Sequence, residues 1–338
     1  DHPQWYADDN HKPEMALAIS DDFAALCCFR PLPELLAMLA DTPELAQLVG
    51  PALVASLGDT TTPDAGKQAL RSAFTALMTS LQPAISSAVA QLVARLAAQQ
   101  ALAGSTSLSP HEALALQLDV QYPGGDVGVL SAFFLNLVRL RAGQALYLAA
   151  NEPHAYLEGE LVECMATSDN VIRAGLTPKF KHADVLCASL TYELGLPEIL
   201  HGTPLDVVGG GEADVTQGSL CIYRPPFEEF EVRCARVPAG GTLVLCADQG
   251  PQLALVQAGA GIAMTDLLTE AALKTGLQER VFLEKGVVFF VAAGTRLELQ
   301  AAEPLLIWVA AVNDVFFQLS KLQDVSRQHT DVLVGAGI

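Results

Sequence analysis

Residues 143–181 read GQALYLAANEPHAYLEGELVECMATSDNVIRAGLTPKFK. Apolar runs of strand length, such as ALYL at 145–148 and LVECMA at 161–166, alternate with the turn-forming groups Asn-Glu-Pro and Ser-Asp-Asn. This pattern predicts a meander of short antiparallel strands, as in a small barrel or jelly roll. A histidine, acids and cations recur along these strands, which indicates a functional site as well as a core.

Glu163 lies in the middle of one of these predicted strands. Successive side chains on a strand point to opposite faces, so Glu163 shares a face with Leu161 and Met165. Because neither face of this strand is polar enough for solvent, we expect Glu163 to be buried. A buried carboxylate needs a partner or a function.

Composition narrows the class of protein. The chain has 338 residues, of which 51% are hydrophobic and 17% charged, so it can form two or three globular domains. Its net charge of -19 argues against a nucleic-acid partner, which requires clustered cations. Against this acidic background, Arg173, Lys179 and Lys181 suit a small anionic ligand, and a solvated strand end is the alternative.

The seven cysteines show no CxxC spacing and several lie within apolar runs. They are predicted to be reduced and buried, which indicates a cytoplasmic protein. No apolar run reaches the length of a membrane span and no signal peptide is visible, so we expect no membrane association. The chain begins at Asp1 without a methionine, which suggests a fragment.

Between two β-rich regions, residues 31–121 are rich in Ala and Leu and show helical periodicity. Helix starts are predicted at Thr62-Pro63-Asp64 and at Ser109-Pro110-His111-Glu112, the latter a capping box. His111 is interpreted as a surface residue of a first helical turn. The predicted segments are 1–30 and 122–205 for one β domain, 31–121 for the helical domain, 206–218 for a linker, 219–313 for a second β domain, and 314–338 for a tail.

The two β regions contain a short internal repeat. VRLRAGQALYLAANEPHAYL, starting at Val138, aligns without gaps with VFLEKGVVFFVAAGTRLELQ, starting at Val281. Gly143 falls on Gly286, and His154 falls on Leu297. The alignment predicts two related barrels, of which the later one has lost a functional histidine.

Two residues have the chemistry of metal ligands. His154 follows a predicted turn, and Glu14 lies on a predicted strand whose same face carries Lys12 and two small alanines. The small residues leave room for a ligand, although an ordinary solvent face is the alternative. Histidine and glutamate both bind zinc, which takes about four ligands. A buried hydrogen-bonded histidine and a paired glutamate would explain the same two residues without a metal.

Longer motifs identify a family. HKPEMALA (11–18), FRP (29–31) and NEPHAYLEGELVECMATSDNVIRAGLTPKF (151–180) resemble type I mannose-6-phosphate isomerase, and the likeness extends to about residue 312. The resemblance implies a mainly β protein with a helical insertion, built from a catalytic cupin barrel, a helical domain and a C-terminal jelly roll. It also implies one Zn²⁺ per chain and interconversion of mannose 6-phosphate and fructose 6-phosphate through an enediol or enediolate, which supplies GDP-mannose synthesis.

Site residues follow by motif. The resemblance implies zinc ligation by Glu14 and His154, catalytic roles for Arg173 and Lys12, and substrate binding by Lys179, Asp169 and Glu163. Arginine stays protonated, so Arg173 is expected to position substrate or to stabilise negative charge rather than to act as a base.

The chain departs from the family pattern at its start. The family's two other zinc ligands, from a Q-x-H-P strand, are expected upstream of Asp1, so the catalytic barrel is expected to lack its first strands. His2 lies in the wrong place to replace them and is assigned no metal role. We expect a cytoplasmic monomer that binds a small sugar phosphate. The alternatives are a catalytically silent cupin-like carbohydrate-binding or scaffold protein and, less favoured for want of an HxH pair, an iron oxygenase.

Overall fold

The computed structural model describes residues 4–103, 108–205, 218–265 and 279–318. The chain divides into two compact units, which we describe separately. The first comprises Asp1–Ala142, Leu146–Glu163 and Thr167–Ile199, and the second comprises Gly143–Ala145, Cys164–Ala166 and Leu200–Ile338. His2, nearly all of the predicted linker at 206–218 and most of the predicted tail at 314–338 lie outside the described residues.

The first unit combines helices with short strands. Its helices are α1 (Leu32–Asp41), α2 (Pro43–Val49), α3 (Pro51–Gly58), α4 (Pro63–Met78), α5 (Gln82–Ala103), α6 (Pro110–Gln121), α7 (Val127–Ser131) and α8 (Ala183–Ser189), with a 3₁₀ turn at Ala132–Phe134. The first seven strands are β1 (Glu14–Ala18), β2 (Phe23–Phe29), β3 (Leu135–Leu140), β4 (Gln144–Leu148), β5 (His154–Glu158), β6 (Leu161–Met165) and β7 (Ile199–His201).

Strand β2 is the centre of a three-stranded antiparallel sheet of order β3-β2-β5. A second sheet has the order β6-β1-β4-β7. The β2 sequence FAALCCF is almost wholly buried because it has neighbours on both edges and both faces. At its end, Phe29 lies edge-on to Phe74 of α4 and stacks on Tyr192, with ring centroids 5.0 and 5.4 Å apart. These aromatic contacts join the sheet to the helices.

The helix starts follow the sequence signals. Thr62 caps α4 by accepting a hydrogen bond from the Ala65 amide, and Ser109 and Glu112 form the predicted capping box of α6. The interpretation of His111 as a surface residue is wrong: only 8% of it is exposed. Its imidazole lies against the buried guanidinium of Arg30, because the first turn of α6 packs inward onto the end of β2.

The second unit is an antiparallel double sheet. Its strands are β8 (Thr203–Leu205), β9 (Ser219–Tyr223), β10 (Glu231–Val237), β11 (Thr242–Leu245), β12 (Gln252–Ala258), β13 (Ala260–Thr265), β14 (Arg280–Glu284), β15 (Val288–Val291), β16 (Leu297–Ala301) and β17 (Leu305–Ala311). They form sheets of order β15-β12-β17-β10-β9-β8 and β11-β16-β13-β14, whose inner faces supply one apolar core. The predicted fold class, mainly β with a helical insertion, is confirmed.

The internal repeat is visible in the backbone. The gapless alignment places β5, which begins at His154, on β16, which begins at Leu297. Gly143 and Gly286, which also correspond, both adopt left-handed φ angles, of 86° and 91°. Leu297 is buried in the core of the second unit, whereas His154 is half-buried beside a cavity.

Two expectations from composition have different outcomes. All seven cysteines are free, but only Cys27, Cys187 and Cys234 are buried, and Cys246 is exposed, so the prediction that they are all buried is wrong. Among the described helices, none is by itself long and apolar enough to span a membrane. Helices α4 and α5 reach that length and composition only as a pair, and they are bent by 97° at the break between them.

Candidate active site

Glu14 and His154 come together in the first unit, from strands of different sheets. Glu14 is the first residue of β1 and His154 is the first residue of β5. The His154 Nε2 atom lies 3.3 Å from Glu14 Oε2, and the Lys12 Nζ atom lies 3.4 Å from Glu14 Oε1. The expected ligand space further along β1 is absent, because Ala16 and Ala18 are packed into the core; only the Glu14 end faces the cavity.

The imidazole of His154 is oriented by the turn before it. Its Nδ1 atom lies 3.0 Å from the backbone oxygen of Glu152, so Nδ1–H donates to that carbonyl and Nε2 faces Glu14. Metal-binding histidines typically donate their second ring N–H in this way. Two ligands of a tetrahedral zinc, each about 2.1 Å from the ion, are roughly 3.4 Å apart. The Glu14–His154 pair therefore fits two positions of a zinc shell.

Glu14 and His154 also shift each other's pKa. Burial favours the neutral carboxyl of Glu14, but the hydrogen bond and charge of His154, together with Lys12, hold its pKa below the usual range. Burial likewise disfavours a charged His154, and the Glu14 carboxylate outweighs this and raises the pKa of the imidazole. Within the ranges that the structure describes, no group of three or more His, Cys, Asp or Glu residues is arranged to hold a metal ion.

Arg173 faces the same cavity as this pair. The cavity has a volume of about 670 Å³. Charged side chains around it include Asp9, His11, Lys12, Glu14, Glu152, His154 and Arg173. Among the described residues, the Arg173 guanidinium makes no hydrogen bond or ion pair, so all its donors are available to an anionic ligand.

One wall of the cavity is formed by the segment before β1. Asp8 accepts hydrogen bonds from the Ser168 hydroxyl and from the backbone amide of Asp169, at 2.9 and 3.2 Å, and Asn170 donates to the Asp8 backbone oxygen at 2.7 Å. Trp5 stacks on Phe180 with centroids 4.4 Å apart. These contacts hold the segment that leads to Lys12 against the segment that carries Arg173.

The other predicted substrate residues lie outside the cavity lining. Asp169 and Lys179 are exposed, and neither contributes to the cavity wall. Glu163 is also exposed, so the expectation that it is buried is wrong; β6 lies at the edge of its sheet and leaves this face of the strand open. Its carboxylate is nevertheless partnered, because Tyr156 donates to it at 2.7 Å. Lys181 forms an ion pair with Asp126 at 3.0 Å.

Sequence reasoning missed two of these residues. Tyr156 is two residues after His154 on β5, so strand alternation places both on one face, and its hydroxyl links β5 to Glu163. Asp126 precedes the short helix α7 in the motif GGDVG, which is a helix-cap signal. Both signals were present in the sequence, but neither specified the long-range partner.

Comparison with protein-family models gives two matches. The model "Phosphomannose isomerase type I, helical insertion domain" matches residues 48–135. The model "Phosphomannose isomerase type I, catalytic domain" matches residues 1–32. The matches include strands β1 and β2, with Lys12 and Glu14, and helices α3 to α7.

Sequence identity with curated proteins establishes the family. Mannose-6-phosphate isomerase 1 from Arabidopsis thaliana is 41% identical over 317 residues, which cover 93% of this chain and 67% of the relative. The Homo sapiens enzyme is 39% identical over 321 residues, covering 91% of this chain and 70% of the relative. The chain belongs to the type I mannose-6-phosphate isomerase family. The prediction of an isomerase of this family is thereby confirmed.

A solved structure shows the same fold. It is a mannose 6-phosphate isomerase "bound with zinc and yttrium", 24% identical to this chain, with a TM-score of 0.66. The likeness covers 90% of this chain and 67% of the other. At this identity the comparison supports the mannose-6-phosphate isomerase architecture.

Proposed function

We propose that this chain carries the site of a zinc-dependent isomerase that interconverts mannose 6-phosphate and fructose 6-phosphate. The observation that carries the proposal is the Glu14–His154 pair, whose facing atoms are 3.3 Å apart at the wall of a cavity that Arg173 also lines. The family relatives named above are mannose-6-phosphate isomerases, and one solved neighbour holds zinc.

Glu14 and His154 are the residues that would hold the ion. When bound, Zn²⁺ supplies Lewis-acid polarisation of the substrate's carbonyl and hydroxyl oxygens. The Glu152 carbonyl fixes the ring of His154, and Lys12 screens the charge of Glu14. Two ligands are fewer than zinc requires, and we propose that the remaining two come from the Q-x-H-P strand characteristic of the family.

Arg173 and Lys12 bind the anionic substrate. The reaction moves a proton between two adjacent carbons, and negative charge develops on the oxygens of the enediol or enediolate. A fixed guanidinium beside these oxygens stabilises that charge without transferring a proton, because arginine stays protonated. Lys12 lines the cavity and Lys179 does not, so Lys12 is the better placed of the two for a substrate phosphate. The product links hexose phosphates to GDP-mannose synthesis.

Metal content and turnover test the proposal together. The complete gene product that carries this chain is expected to hold one zinc and to isomerise mannose 6-phosphate in a coupled assay. Glu14→Gln and His154→Gln are each expected to lower zinc affinity by at least the 10–100-fold that loss of an outer-shell partner costs. Glu158→Gln is the matched control, because Glu158 lies on β5 but is exposed and paired with Arg139.

The possible outcomes distinguish the proposal from its alternatives. The proposal is supported if zinc content and turnover are unchanged in the control and are lowered in both ligand variants. Carbohydrate binding without turnover by the unsubstituted protein would favour the scaffold alternative and would overturn it. Zinc content that is unchanged in both ligand variants would show that Glu14 and His154 do not hold the metal.

A further inference from the structure

The Asp126 carboxylate collects three hydrogen bonds in the first unit. Its Oδ1 atom accepts from the backbone amides of Gly128 and Leu176, at 2.7 and 2.8 Å, and its Oδ2 atom accepts from Lys181 Nζ at 3.0 Å. The side chain is only 11% exposed. The Gly128 bond caps α7, whereas the other two bonds come from the segment that follows Arg173. Asp126 therefore joins a helix start to the Arg173 segment.

The backbone contact beneath this carboxylate is unusually close. A Cβ atom at Gly175 would lie 2.7 Å from Gly128 Cα and 2.8 Å from Asp126 Oδ1, closer than real contacts allow. The next residue, Leu176, has a φ of 53°, a left-handed value that leucine rarely adopts. The segment after Arg173 is thus held in a strained conformation by the Asp126 hydrogen bond and by glycine-to-glycine packing.

Asp126 is itself fixed to the long helix α5. The backbone oxygen of Gly124 accepts from the Ser86 hydroxyl at 2.9 Å, and that of Gly125 accepts from Gln82 Nε2 at 2.8 Å. These bonds leave the loop before Asp126 little freedom. They provide a continuous path of contacts from α5 through Asp126 to the Arg173 segment.

Arg173 has no comparable anchor of its own. Its guanidinium faces the cavity without a hydrogen bond or ion pair to any described residue, and it lies three residues before the Leu176 amide that Asp126 holds. A free arginine is positioned only as well as the backbone that carries it. We propose that Asp126 is a positioning residue for Arg173, through which the helical insertion sets the place of the guanidinium in the cavity. This inference rests on the role of Arg173 given under the proposed function.

A double-mutant cycle tests the inference on the complete gene product. Asp126→Ala, Arg173→Ala and the double variant are compared in the mannose 6-phosphate assay, with thermal unfolding measured for each. Asp126→Ala alone is expected to lower kcat by on the order of 100-fold, as small misplacements of catalytic groups do. In the Arg173→Ala background the same change is expected to lower kcat by less than about threefold, because the group it positions is gone.

Two further variants separate positioning from folding. Ser109→Ala removes the cap of α6 in the same helical region and is expected to leave kcat unchanged. Asp126→Asn keeps an acceptor for the backbone amides, so it should fold. Its kcat is expected to lie between that of the parent and that of Asp126→Ala. Amide exchange over residues 171–178 gives a readout independent of turnover: it is expected to accelerate in Asp126→Ala and to stay unchanged in Ser109→Ala.

The outcomes distinguish this inference from the proposed function. If the unsubstituted protein has no isomerase activity, the proposed function fails. If it is active and Asp126→Ala lowers kcat by the same factor with and without Arg173, the positioning role is overturned. Unchanged exchange over 171–178 in Asp126→Ala would also overturn it.

Discussion

At the scale of single residues, the buried pair Arg30 and His111 shows how one contact shifts a protonation equilibrium. The Nε2 atom of His111 lies 2.5 Å from Arg30 Nη2 and 3.2 Å from the backbone oxygen of Leu135. Because a guanidinium can only donate, its contact with Nε2 favours the neutral imidazole. Burial and the positive charge of Arg30 lower the pKa of His111 to about 4. Arg30 is itself 3% exposed, with Glu34 as its nearest acid at 4.0 Å.

This pair predicts a pH-dependent loss of stability. Because the pKa of His111 is lower in the folded chain than its ordinary 6.5, the stabilisation is complete above about pH 6.5 and is lost as the pH falls toward 4. Between pH 7 and pH 4 this residue is expected to remove about 3 kcal/mol from the free energy of unfolding. Denaturant unfolding of the parent and of His111→Gln should show a difference of this size in their pH dependence, and parallel curves would contradict it.

Single residues also show which contacts and exposures could be predicted from the sequence. Glu14 and His154 were expected, from the family motifs that contain them, to be zinc ligands, and their side chains lie 3.3 Å apart. Glu163 and His111 were assigned the wrong exposure, because local patterns do not state whether a strand is at a sheet edge or which face of a helix turn packs inward. Asp126 carried a local cap signal, but its bond to Leu176 joins positions 50 apart in the chain.

At the scale of elements, helix starts were the most predictable features. The Ser109–Glu112 capping box depends only on residues three apart, so the local sequence contains all of its partners. The sequence pattern did not locate strands β7 and β8, which lie at the end of the predicted first β region. Each is only three residues long and exists through pairing with distant strands, which a local pattern does not reveal.

The capping box predicts a modest and local stability effect. Ser109→Ala removes the acceptor for the Glu112 amide and is expected to lower the free energy of unfolding by about 1 kcal/mol. Ser109→Thr retains a hydroxyl oxygen and should lose less. Chemical denaturation of the two variants checks this, and equal losses would show that the side-chain bond does not stabilise α6.

At the scale of the whole molecule, each compact unit has its own core. In the second unit the fully buried Glu231 carboxylate accepts from Arg224 Nε at 2.8 Å and from Arg233 Nη2 at 2.6 Å, and Arg233 also reaches Asp248 at 2.6 Å. This network joins β10 to the loops at one end of the unit. The sequence contains the charges but not their register, so the network was not predictable.

Removing one charge from this network should destabilise the second unit. Glu231→Gln leaves two arginines without their buried partner and is expected to cost roughly 3 kcal/mol or more. Amide exchange should accelerate across β10, β12 and β17 more than across β2 and β3 of the first unit. Glu228→Gln is the matched control, because Glu228 is exposed in the same region. A loss of stability in Glu228→Gln as large as that in Glu231→Gln would contradict this prediction.

The central proposal is that Arg173 binds the substrate of a sugar-phosphate isomerase and stabilises its developing negative charge. The most direct measurement is kcat and KM for mannose 6-phosphate in the complete gene product, with and without Arg173→Lys. Lysine keeps the charge but loses the planar, multi-donor geometry. The account predicts that kcat falls on the order of 100-fold while KM rises far less. Turnover that is unchanged by Arg173→Lys would contradict it.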